Sequence, residues 1–382
     1  MSKSKTSKLN RLQPHIMIMF LAFIISINEG HYCLAQQVKT GYITDKVKPL
    51  FKQDTLTVCF MGDMMMHTEQ IETALRNNGT YNFSSYFKLI ENKIKDADLA
   101  VANMEFTLGG LPYAGYPCFS APDSFATHLA DCGFDIFLTA NNHIFDRRGK
   151  GAARTLEQYR KLEETHGIRV TGLAEDEDKR NQETPLIIRR KGIRLAFINF
   201  TYGTNSGSGT HWPKTNYMNN TPVIESAVNN ASKEADLTII LPHWGTEYQL
   251  HHSEEQKDMA EWLVNKGADI IIGTHPHVVQ DTSHIKGIQV AYSLGNAVSN
   301  MSAANTQLEL MATLKVIRKN NGDIETLPLE LTWLWCSRPG GFCNDYIIIP
   351  VEEYIGKEEE WLEKRDYHKM VTTYKSIRNR NN

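Results

Sequence analysis

The sequence predicts an α/β fold in which a core of parallel strands is followed by an added antiparallel region. Two observations predict it: strand and helix patterns alternate over the first two thirds of the 382 residues, and strands with few helices between them dominate the last third. Hydrophobic residues make up 41% of the chain, which is ordinary for a globular protein. The formal net charge of −3 offers no basic field, so we expect no nucleic acid partner.

The predicted strands are short runs of β-branched and apolar residues, of which TLTVCFM at 55–61 is typical. Lys191-Gly192 separates two such runs and predicts an antiparallel hairpin. The predicted strands comprise residues 55–61, 98–103, 134–140, 169–172, 186–189, 194–200, 236–241, 269–273, 288–292, 308–317 and 347–350.

The predicted helices carry apolar residues at helical spacing between recognisable start and stop signals. One of them opens after Pro122 and closes at Gly133. The predicted helices comprise residues 84–95, 123–132, 150–166, 223–234 and 253–266, and a polar C-terminal helix or tail follows over 351–382.

The N-terminus predicts export. A basic flank precedes an apolar run at 16–27 that is too short to span a membrane comfortably, and Cys33 and Ala35 place small residues at −3 and −1. We therefore expect a signal peptide over 1–35, an irregular mature N-terminus over 36–54, and one domain over 55–350. The expected location is the periplasm or cell envelope. A lipoprotein anchored through Cys33 and an uncleaved membrane anchor are the alternatives.

Two cysteines near the C-terminus leave two interpretations open. Cys336 and Cys343 flank a Pro-Gly-Gly turn, so they would close a small disulfide loop in an oxidising compartment. Buried free thiols are the other interpretation. The chain holds no Cys-x-x-Cys pair, so a structural zinc ribbon is not expected.

Five predicted core strands end in carboxylate, amide or imidazole groups. Because ligand sites of open α/β sheets form at the carboxyl ends of strands, we expect these side chains to converge. His275 and His277 stand two apart, the spacing at which side chains of one strand point the same way. Each group alone has an ordinary interpretation, such as a turn cap, a surface ion pair or a core histidine. Together they predict a shared metal site formed by Asp63, Glu105, Asn142, His243, His275 and His277.

The residue types suit a divalent transition metal such as Mn, Zn or Fe, because imidazole and carboxylate ligands occur together. Two such ions need a bridging carboxylate, which Asp63 or Glu105 can supply, so one or two ions are expected. A pair of this kind activates water and stabilises an anionic transition state. His143 would then protonate the leaving oxygen, with Asp146 orienting its ring.

Six motifs carry a family resemblance, and they occur in order: Gly-Asp-Met-Met at 62–65, Asn-Met-Glu at 103–105, Ala-Asn-Asn-His-Ile-Phe-Asp at 140–146, His-Trp-Gly-Thr-Glu-Tyr at 243–248, Gly-Thr-His-Pro-His-Val-Val-Gln at 273–280 and Tyr-Ser-Leu-Gly-Asn at 292–296. The chain resembles the CapA family of poly-γ-glutamate capsule biosynthesis proteins over about residues 55–300. That family is similar to calcineurin-like metallophosphoesterases. The resemblance implies a layered α/β/β/α sandwich, the six metal-site positions above and His143 as the catalytic histidine. Gly-Asp-Met stands where those phosphoesterases usually carry Asp-x-His.

These features predict an exported metal-dependent, phosphoesterase-like hydrolase that acts on an anionic envelope or capsular polymer. The alternative is a non-catalytic accessory of a polymer synthase or export system that binds an anionic chain. A weaker third interpretation is amide-bond hydrolysis or transfer. Further polar residues of the motifs are expected to contact substrate, namely His67, Asn141, Glu247 and Asn296.

Overall fold

The structure is a computed structural model that describes residues 55–206 and 213–381. The predicted signal peptide at 1–35 and the irregular segment at 36–54 lie outside these ranges. Among the described residues, no helix combines the length and the apolar character needed to cross a membrane.

The described residues form strands and helices in an order close to the predicted one. The strands are β1 Thr55–Met64, β2 Leu99–Met104, β3 Ile136–Leu138, β4 Arg169–Thr171, β5 Leu173–Ala174, β6 Leu186–Arg190, β7 Ile193–Thr201, β8 Lys214–Thr215, β9 Leu237–His243, β10 Ile270–Ile272, β11 Thr282–Ile285, β12 Ile288–Ala291, β13 Leu308–Arg318, β14 Ile324–Thr326, β15 Glu330–Ser337 and β16 Ile347–Pro350. The α-helices are α1 Thr68–Ala74, α2 Glu91–Lys95, α3 Asp123–Asp131, α4 Arg148–His166, α5 Glu177–Glu183, α6 Thr221–Glu234, α7 Glu254–Lys266, α8 Val351–Tyr354 and α9 Lys364–Asn381.

Two large sheets organise the fold. The first has the order β16-β15-β13-β1-β2-β3-β4, with β14 paired to β13, and the second has the order β11-β12-β10-β9-β7-β6. In the first sheet β1 to β4 are parallel, whereas β13 pairs with β1 in antiparallel orientation and β15 and β16 extend the sheet beyond β13 with further antiparallel pairs. In the second, β7, β9, β10 and β12 are parallel and the hairpin β6–β7 is antiparallel. The antiparallel C-terminal addition is therefore confirmed.

The sheets pack face to face between layers of helices. Val58 and Phe60 of β1 belong to the apolar core between the sheets, together with Phe197 and Ile239 of the second sheet. Residues of β1 with the opposite parity face a second core built with α1 to α4, and the far face of the second sheet packs against α6 and α7. The predicted layered α/β/β/α sandwich is confirmed. It is stable because both faces of each central strand are covered.

A close approach of two chain segments shapes the sheet edge where the site forms. The β1–β2 pairing shifts register between Met61 and Asp63, so Gly62 lies at an irregularity in the strand. A Cβ atom on Gly62 would lie 1.9 Å from the carbonyl oxygen of Gly295, which only glycine avoids. The amide of Asp63 donates to that same carbonyl at 3.0 Å. This contact ties β1 to the segment that follows β12.

The short elements β5, β8, β11, β14, α1 and α5 have no counterpart among the predicted elements, and two predicted helices differ from the structure. The helix expected at 84–95 is confined to α2, because residues 84–90 form successive turns with three-residue hydrogen bonds. The C-terminal helix α9 is not a solvated tail, since Met370, Tyr374 and Ile377 are buried in the inter-sheet core. Of the two interpretations left open for Cys336 and Cys343, the structure has the free thiols, and all five described cysteines are free.

Candidate metal centre

The predicted metal-site residues converge where the carboxyl ends of strands from both sheets meet. Asp63 is the second-last residue of β1, Glu105 directly follows β2, and His243 is the last residue of β9. Asn142 lies in the loop after β3, and the two remaining histidines lie in the loop after β10. Each of the six is at most 2% exposed, so the group is sealed within the protein apart from one cavity.

Glu105 lies at the centre of this group. Its Oε1 atom is 3.6 Å from His277 Nε2, 3.8 Å from His243 Nε2 and 3.9 Å from His143 Nε2. Neither of its carboxylate oxygens has a hydrogen-bond partner, although both are buried. A buried carboxylate without a partner is costly, so a group that supplies positive charge at this point would stabilise the site.

Asp63 is held in place by neighbours on three segments. Asn103 Nδ2 donates to Asp63 Oδ1 at 2.8 Å, and the backbone amide of His275 donates to Asp63 Oδ2 at 3.2 Å. His277 Nδ1 lies 3.3 Å from the same Oδ2. These contacts fix the direction of the carboxylate, which a metal ligand requires.

His275 and His277 reach the site differently from the sequence prediction. β10 ends at Ile272, and both histidines lie in the following loop with positive φ angles of 100° and 59°. The expectation that strand alternation would align them is therefore wrong, because the chain has left the extended conformation before either residue. Positive φ is strained for histidine, by about 1–3 kcal/mol per residue, and such strain is concentrated at functional sites.

His243 faces both carboxylates and the predicted amide ligand. Its Nε2 lies 2.8 Å from Asn142 Oδ1, and its Nδ1 lies 2.9 Å from Thr274 Oγ1 and 3.9 Å from Asp63 Oδ1. The amide oxygen of Asn142 thus points into the same space as the ring. His275 packs against that ring at 4.7 Å between centroids, and its Nδ1 is buried without a partner.

His143 forms a pair with Asp146 beside this group. Its Nδ1 donates to Asp146 Oδ2 at 2.6 Å, and the backbone amide of Phe119 donates to that same oxygen at 2.8 Å. The ring of Phe119 packs edge-on against the imidazole, with centroids 4.6 Å apart. The predicted orienting role of Asp146 therefore has the required geometry, and Nε2 of His143 is directed at Glu105.

Burial shifts the titration of the central groups in opposite directions. Burial, reinforced by the charge of Asp63, raises the pKa of Glu105 well above its usual range. Burial, reinforced by neighbouring histidines, lowers the pKa of His243 and of His275 well below 6.5. Burial also lowers the pKa of His277, but the hydrogen bond and charge of Asp63, the charge of Glu247 and the hydrogen bond to Asn296 together raise it overall. The lowered pKa values keep His243 and His275 neutral, which is the protonation state that metal coordination needs, whereas Glu105 would release its proton on binding a metal ion.

The donor geometry fits a metal ion. Two groups of side chains bring their ligand atoms within 4.8 Å of one another, and Glu105 belongs to both; they are Glu105 with His275 and His277, and Glu105 with Asp63 and His243. Metal–ligand bonds of about 2.0–2.2 Å place two ligands of one ion at most about 4.4 Å apart. The distances of 3.6 and 3.8 Å from Glu105 Oε1 to His277 Nε2 and His243 Nε2 lie below that limit. The unpartnered oxygens of Glu105 and Nδ1 of His275 are the atoms such an ion would satisfy.

Comparison with known proteins identifies the family. Residues 57–301, more than half of the chain, match the family described as "Bacterial capsule synthesis protein PGA_cap". The chain belongs to this capsule synthesis family. It is 27% identical to the PGA biosynthesis protein CapA of Bacillus subtilis, over 75% of this chain and 74% of that protein. It is 25% identical to the capsule biosynthesis protein CapA of Bacillus anthracis, over 75% of this chain and 71% of that protein.

The solved structures to which this family member is similar have lower sequence identity to it. The NAD nucleotidase of Haemophilus influenzae is 15% identical and has a TM-score of 0.46, over 86% of this chain and 68% of that structure. The 5′-nucleotidase of Candida albicans is 14% identical and has a TM-score of 0.42, over 73% of this chain. This chain spans about half of the second structure, 52%.

Two of the predicted substrate-binding residues have other roles in this capsule synthesis protein. Asn141 is fully buried; its Nδ2 donates to the carbonyl of Met104 and its Oδ1 accepts from the amide of His143. Asn296 is also fully buried and its Oδ1 accepts from His277 Nδ1 at 2.9 Å. Both side chains make their hydrogen bonds within the protein. They therefore position site residues and do not reach a substrate.

The other two predicted substrate-binding residues, Glu247 and His67, line a cavity of about 270 Å³ that opens onto the metal centre. Glu247 is half-buried there, and His67 contributes its ring while its Nδ1 is engaged with Gln70 and the amide of Asn300. Burial lowers the pKa of His67 to about 4, so it is neutral at physiological pH. His67 does not join either donor group. Contact of His67 and Glu247 with a substrate remains a prediction.

Sequence reasoning missed several residues that support the site. Asn103 orients Asp63, Thr274 contacts His243, and Asn205 Nδ2 lies 3.4 Å from both ring nitrogens of His143. Asn103 and Thr274 stand inside the quoted motifs, so a closer reading of the motifs would have included them. Asn205 has no such signal, because it lies in a loop after β7.

Glu309 on β13 is another residue that sequence reasoning missed. Its Oε1 accepts from the amide of Gly62 at 2.9 Å, while its Oε2 is buried without a partner. Burial, reinforced by the charge of Asp63, raises the pKa of Glu309 well above its usual range. Glu309 therefore supports the irregularity at Gly62, next to Asp63.

Proposed function

We propose that this capsule synthesis family member is an exported metal-dependent hydrolase of the phosphoesterase type, acting on an anionic envelope or capsular polymer. The observation that carries the proposal is the position of Glu105. Both of its oxygens are buried without partners, and three histidine nitrogens lie 3.6–3.9 Å from one of them. A buried carboxyl without partners is costly, and a metal ion bound between Glu105 and these histidines would remove that cost.

The residues that would hold metal are Asp63, Glu105, Asn142, His243, His275 and His277. Glu105 belongs to both donor groups, so it would contribute a ligand to an ion held by either group. When bound, a divalent transition metal of the Mn, Zn or Fe class would act as a Lewis acid that activates water and neutralises an anionic transition state. Asn103 and Asn296 keep Asp63 and His277 aligned for that role.

His143 is placed to supply the proton for the leaving group. Asp146 holds Nδ1–H of the ring, which leaves Nε2 directed toward the centre. In its doubly protonated form the ring also carries a proton on Nε2. As the bond between the phosphorus and the leaving oxygen breaks, Nε2–H would be transferred to that oxygen, and His143 would become neutral. Asn205, 3.4 Å from the ring, completes the fixed environment of the imidazole.

The cavity in front of the centre limits the part of the substrate that can enter. Its volume of about 270 Å³ is near the lower end for ligand pockets, which suits one linkage or one repeating unit of a polymer. Tyr116 and Tyr248, 74% and 42% exposed, stand at its rim. These rings offer flat contacts for a chain that passes across the mouth.

One observation favours a non-catalytic accessory role as the second candidate. Among the described residues that line the cavity there is no lysine or arginine, and Glu247 adds a carboxylate. A phosphoester would therefore be held there by the metal centre alone. An accessory of a polymer synthase or export system, which binds an anionic chain without cleaving it, needs no cation at this point.

The test compares His143→Gln with the wild-type protein in two assays. The first measures hydrolysis of a simple phosphodiester and of capsular polymer with Mn²⁺ or Zn²⁺ present, and the second measures rescue of a capsule-deficient strain. We expect the variant to keep its metal, to lose hydrolysis and to fail in rescue. Full rescue by a variant without hydrolysis would overturn the enzyme assignment and support the accessory role. Detection of the wild-type protein in the periplasmic or envelope fraction tests export.

A further inference from the structure

We propose that a basic cleft formed at the start of α4 binds the anionic chain of the polymer, beside the metal centre. This inference rests on the proposed function for its ligand class, an extended polymer that carries carboxylates or phosphates. The cleft has a volume of about 940 Å³ and is distinct from the cavity in front of Glu105. Its lining includes five cationic residues and two acidic ones, in a chain whose formal net charge is −3.

Four of the five cations of the cleft divide into two groups. Arg154 is paired with Asp123 through two hydrogen bonds of 2.7 and 2.8 Å, and Arg160 is paired with Glu163 and Glu183. These pairs fix the walls of the cleft. Arg148 and Lys150, in contrast, are exposed, and no ion pair or side-chain hydrogen bond involves them among the residues that the structure describes. Their charges are available to a ligand.

The two acidic residues of the cleft cancel only part of its cationic charge. Glu157 is paired with Lys161 at 2.8 Å, which leaves Glu175 as the other carboxylate of the lining. Ala153 and Leu156 add an apolar floor. Charged rims over an apolar floor suit a polymer with acidic groups on an aliphatic backbone, because both parts of each unit find a contact.

The local sequence of α4 is unfavourable for a helix that has no ligand. Its first turn contains Arg148 and Lys150 and no acidic residue, and Arg147 at the N-cap position makes no side-chain cap. Cations at the positive end of the helix dipole are destabilising, and an uncapped terminus leaves amide groups unsatisfied. Arg148 also has a positive φ of 55°. Local rules that fail together in this way are expected at a binding site, and a bound anion would offset the charge and capping penalties.

The cleft is connected to the catalytic region through one loop and one residue. Arg147 follows Asp146 directly, and its Nη2 donates at 2.7 Å to the carbonyl of Pro112. Pro112 belongs to the loop that also carries Tyr116, which stands at the rim of the cavity before Glu105. The cavity lacks lysine and arginine among its described lining residues, so the basic cleft supplies the electrostatic contact that the cavity does not. A chain held in the cleft would present its neighbouring units across this loop.

The experiment measures binding of a fluorescein-labelled γ-linked glutamate oligomer and, separately, of inorganic polyphosphate, at low and at physiological ionic strength. The test variant is Arg148→Glu/Lys150→Glu, and Arg148→Gln/Lys150→Gln is a milder second variant. Arg365→Glu/Lys375→Glu on α9 is the matched control, because it changes the net charge equally at exposed residues without ion pairs among the described residues.

We expect the wild-type protein to bind at least one of the two polyanions, more weakly at higher salt, and the charge reversal at α4 to weaken binding by about tenfold or more. The α9 control should bind like the wild-type protein, and the glutamine variant should lie between. Preference for one polyanion assigns the acidic group. Absence of binding, or equal weakening in the α9 control, would overturn the proposal.

The same measurement on His275→Ala separates this proposal from the proposed function. That variant is expected to lose hydrolysis and to keep oligomer binding, since its substitution lies in the metal centre and not in the cleft. Binding without hydrolysis in the wild-type protein would leave the cleft standing and overturn the hydrolase. Hydrolysis without binding to the cleft would support the hydrolase and overturn the proposal about the cleft.

Discussion

Glu105 Oε1 lies 3.6 Å from His277 Nε2, in a space where neither oxygen of the carboxylate has a hydrogen-bond partner. The two residues come from different sheets, since Glu105 follows β2 and His277 lies in the loop after β10. The packing of one sheet on the other therefore creates the site. Its donor atoms come together only when the whole sandwich has formed.

Replacing Glu105 by its neutral isostere should separate folding from metal binding. We expect Glu105→Gln to fold with unchanged or higher stability without metal, because an unpartnered buried carboxyl is removed. Metal at 100 times its Kd should stabilise the wild-type protein by about 2.7 kcal/mol, and the variant by much less. Thermal unfolding with and without Mn²⁺ or Zn²⁺ measures this. Glu247→Gln, outside both donor groups, is the control. An undiminished metal shift in Glu105→Gln would exclude Glu105 as a ligand.

The role of His143 predicts a dependence on the leaving group. His143→Gln should slow hydrolysis of an alkyl phosphodiester by about 10²–10⁴-fold, because an alkoxide needs a proton to leave. An aryl phosphodiester, whose phenolate leaves unprotonated, should be affected far less. Steady-state kinetics on both substrates measures the difference, and His128→Gln on α3 is the control. Equal losses on both substrates would show that His143 does not act as the proton donor.

Glu309 predicts a specific dependence of stability on pH. Its pKa is raised in the folded protein, chiefly by burial, above the value of 4.5 expected for an unperturbed glutamate. The stability that this residue contributes is therefore present below pH 4.5 and is lost as the pH rises toward the folded-state pKa. The difference in the free energy of unfolding between wild-type protein and Glu309→Gln should change by about 1.4 kcal/mol per pH unit in that window.

Urea denaturation of the metal-free proteins over a pH series checks this slope. The variant should become relatively more stable as the pH rises, and a difference independent of pH would contradict the raised pKa. Glu309→Leu is a second variant that removes the acceptor of the Gly62 amide. It should destabilise the protein by about 1–3 kcal/mol, because a buried amide is left unpaired.

The C-terminal helix is predicted to contribute to the stability of the domain. Met370 on α9 is fully buried in the inter-sheet core, so Met370→Ala should lower the free energy of unfolding by about 2–5 kcal/mol. Lys375→Ala on the exposed side of the same helix should change it by less than about 0.5 kcal/mol. Equal effects in a denaturation experiment would indicate that α9 does not pack as described.

Residues at strand ends were predictable from the sequence. Asp63, Glu105 and His243 each follow an apolar run, and parallel topology places the ends of such runs at one edge. The chemistry of the side chains then indicated metal. The same reasoning failed to predict how His275 reaches the site. The left-handed turns after β10 are a tertiary feature that side-chain alternation does not encode.

Contacts between distant segments were not predictable. Glu309 supports Gly62 from 247 residues away, and nothing in an apolar strand pattern distinguishes a buried carboxyl from an exposed one. Asn296 belongs to a recognisable motif, yet its contact with His277 in place of substrate depends on how the loop after β12 folds back. The helix α9 was predicted as polar because most of its residues are, although a narrow apolar stripe suffices to bury it.

The metal content of the purified protein tests the central claim most directly. Elemental mass spectrometry of wild-type protein from metal-replete cells should find between one and two transition-metal ions per chain. His275→Ala should lose most of this metal, while its circular dichroism spectrum stays unchanged. Metal-free wild-type protein, or a His275→Ala variant that keeps its full metal content, would contradict the assignment of this site.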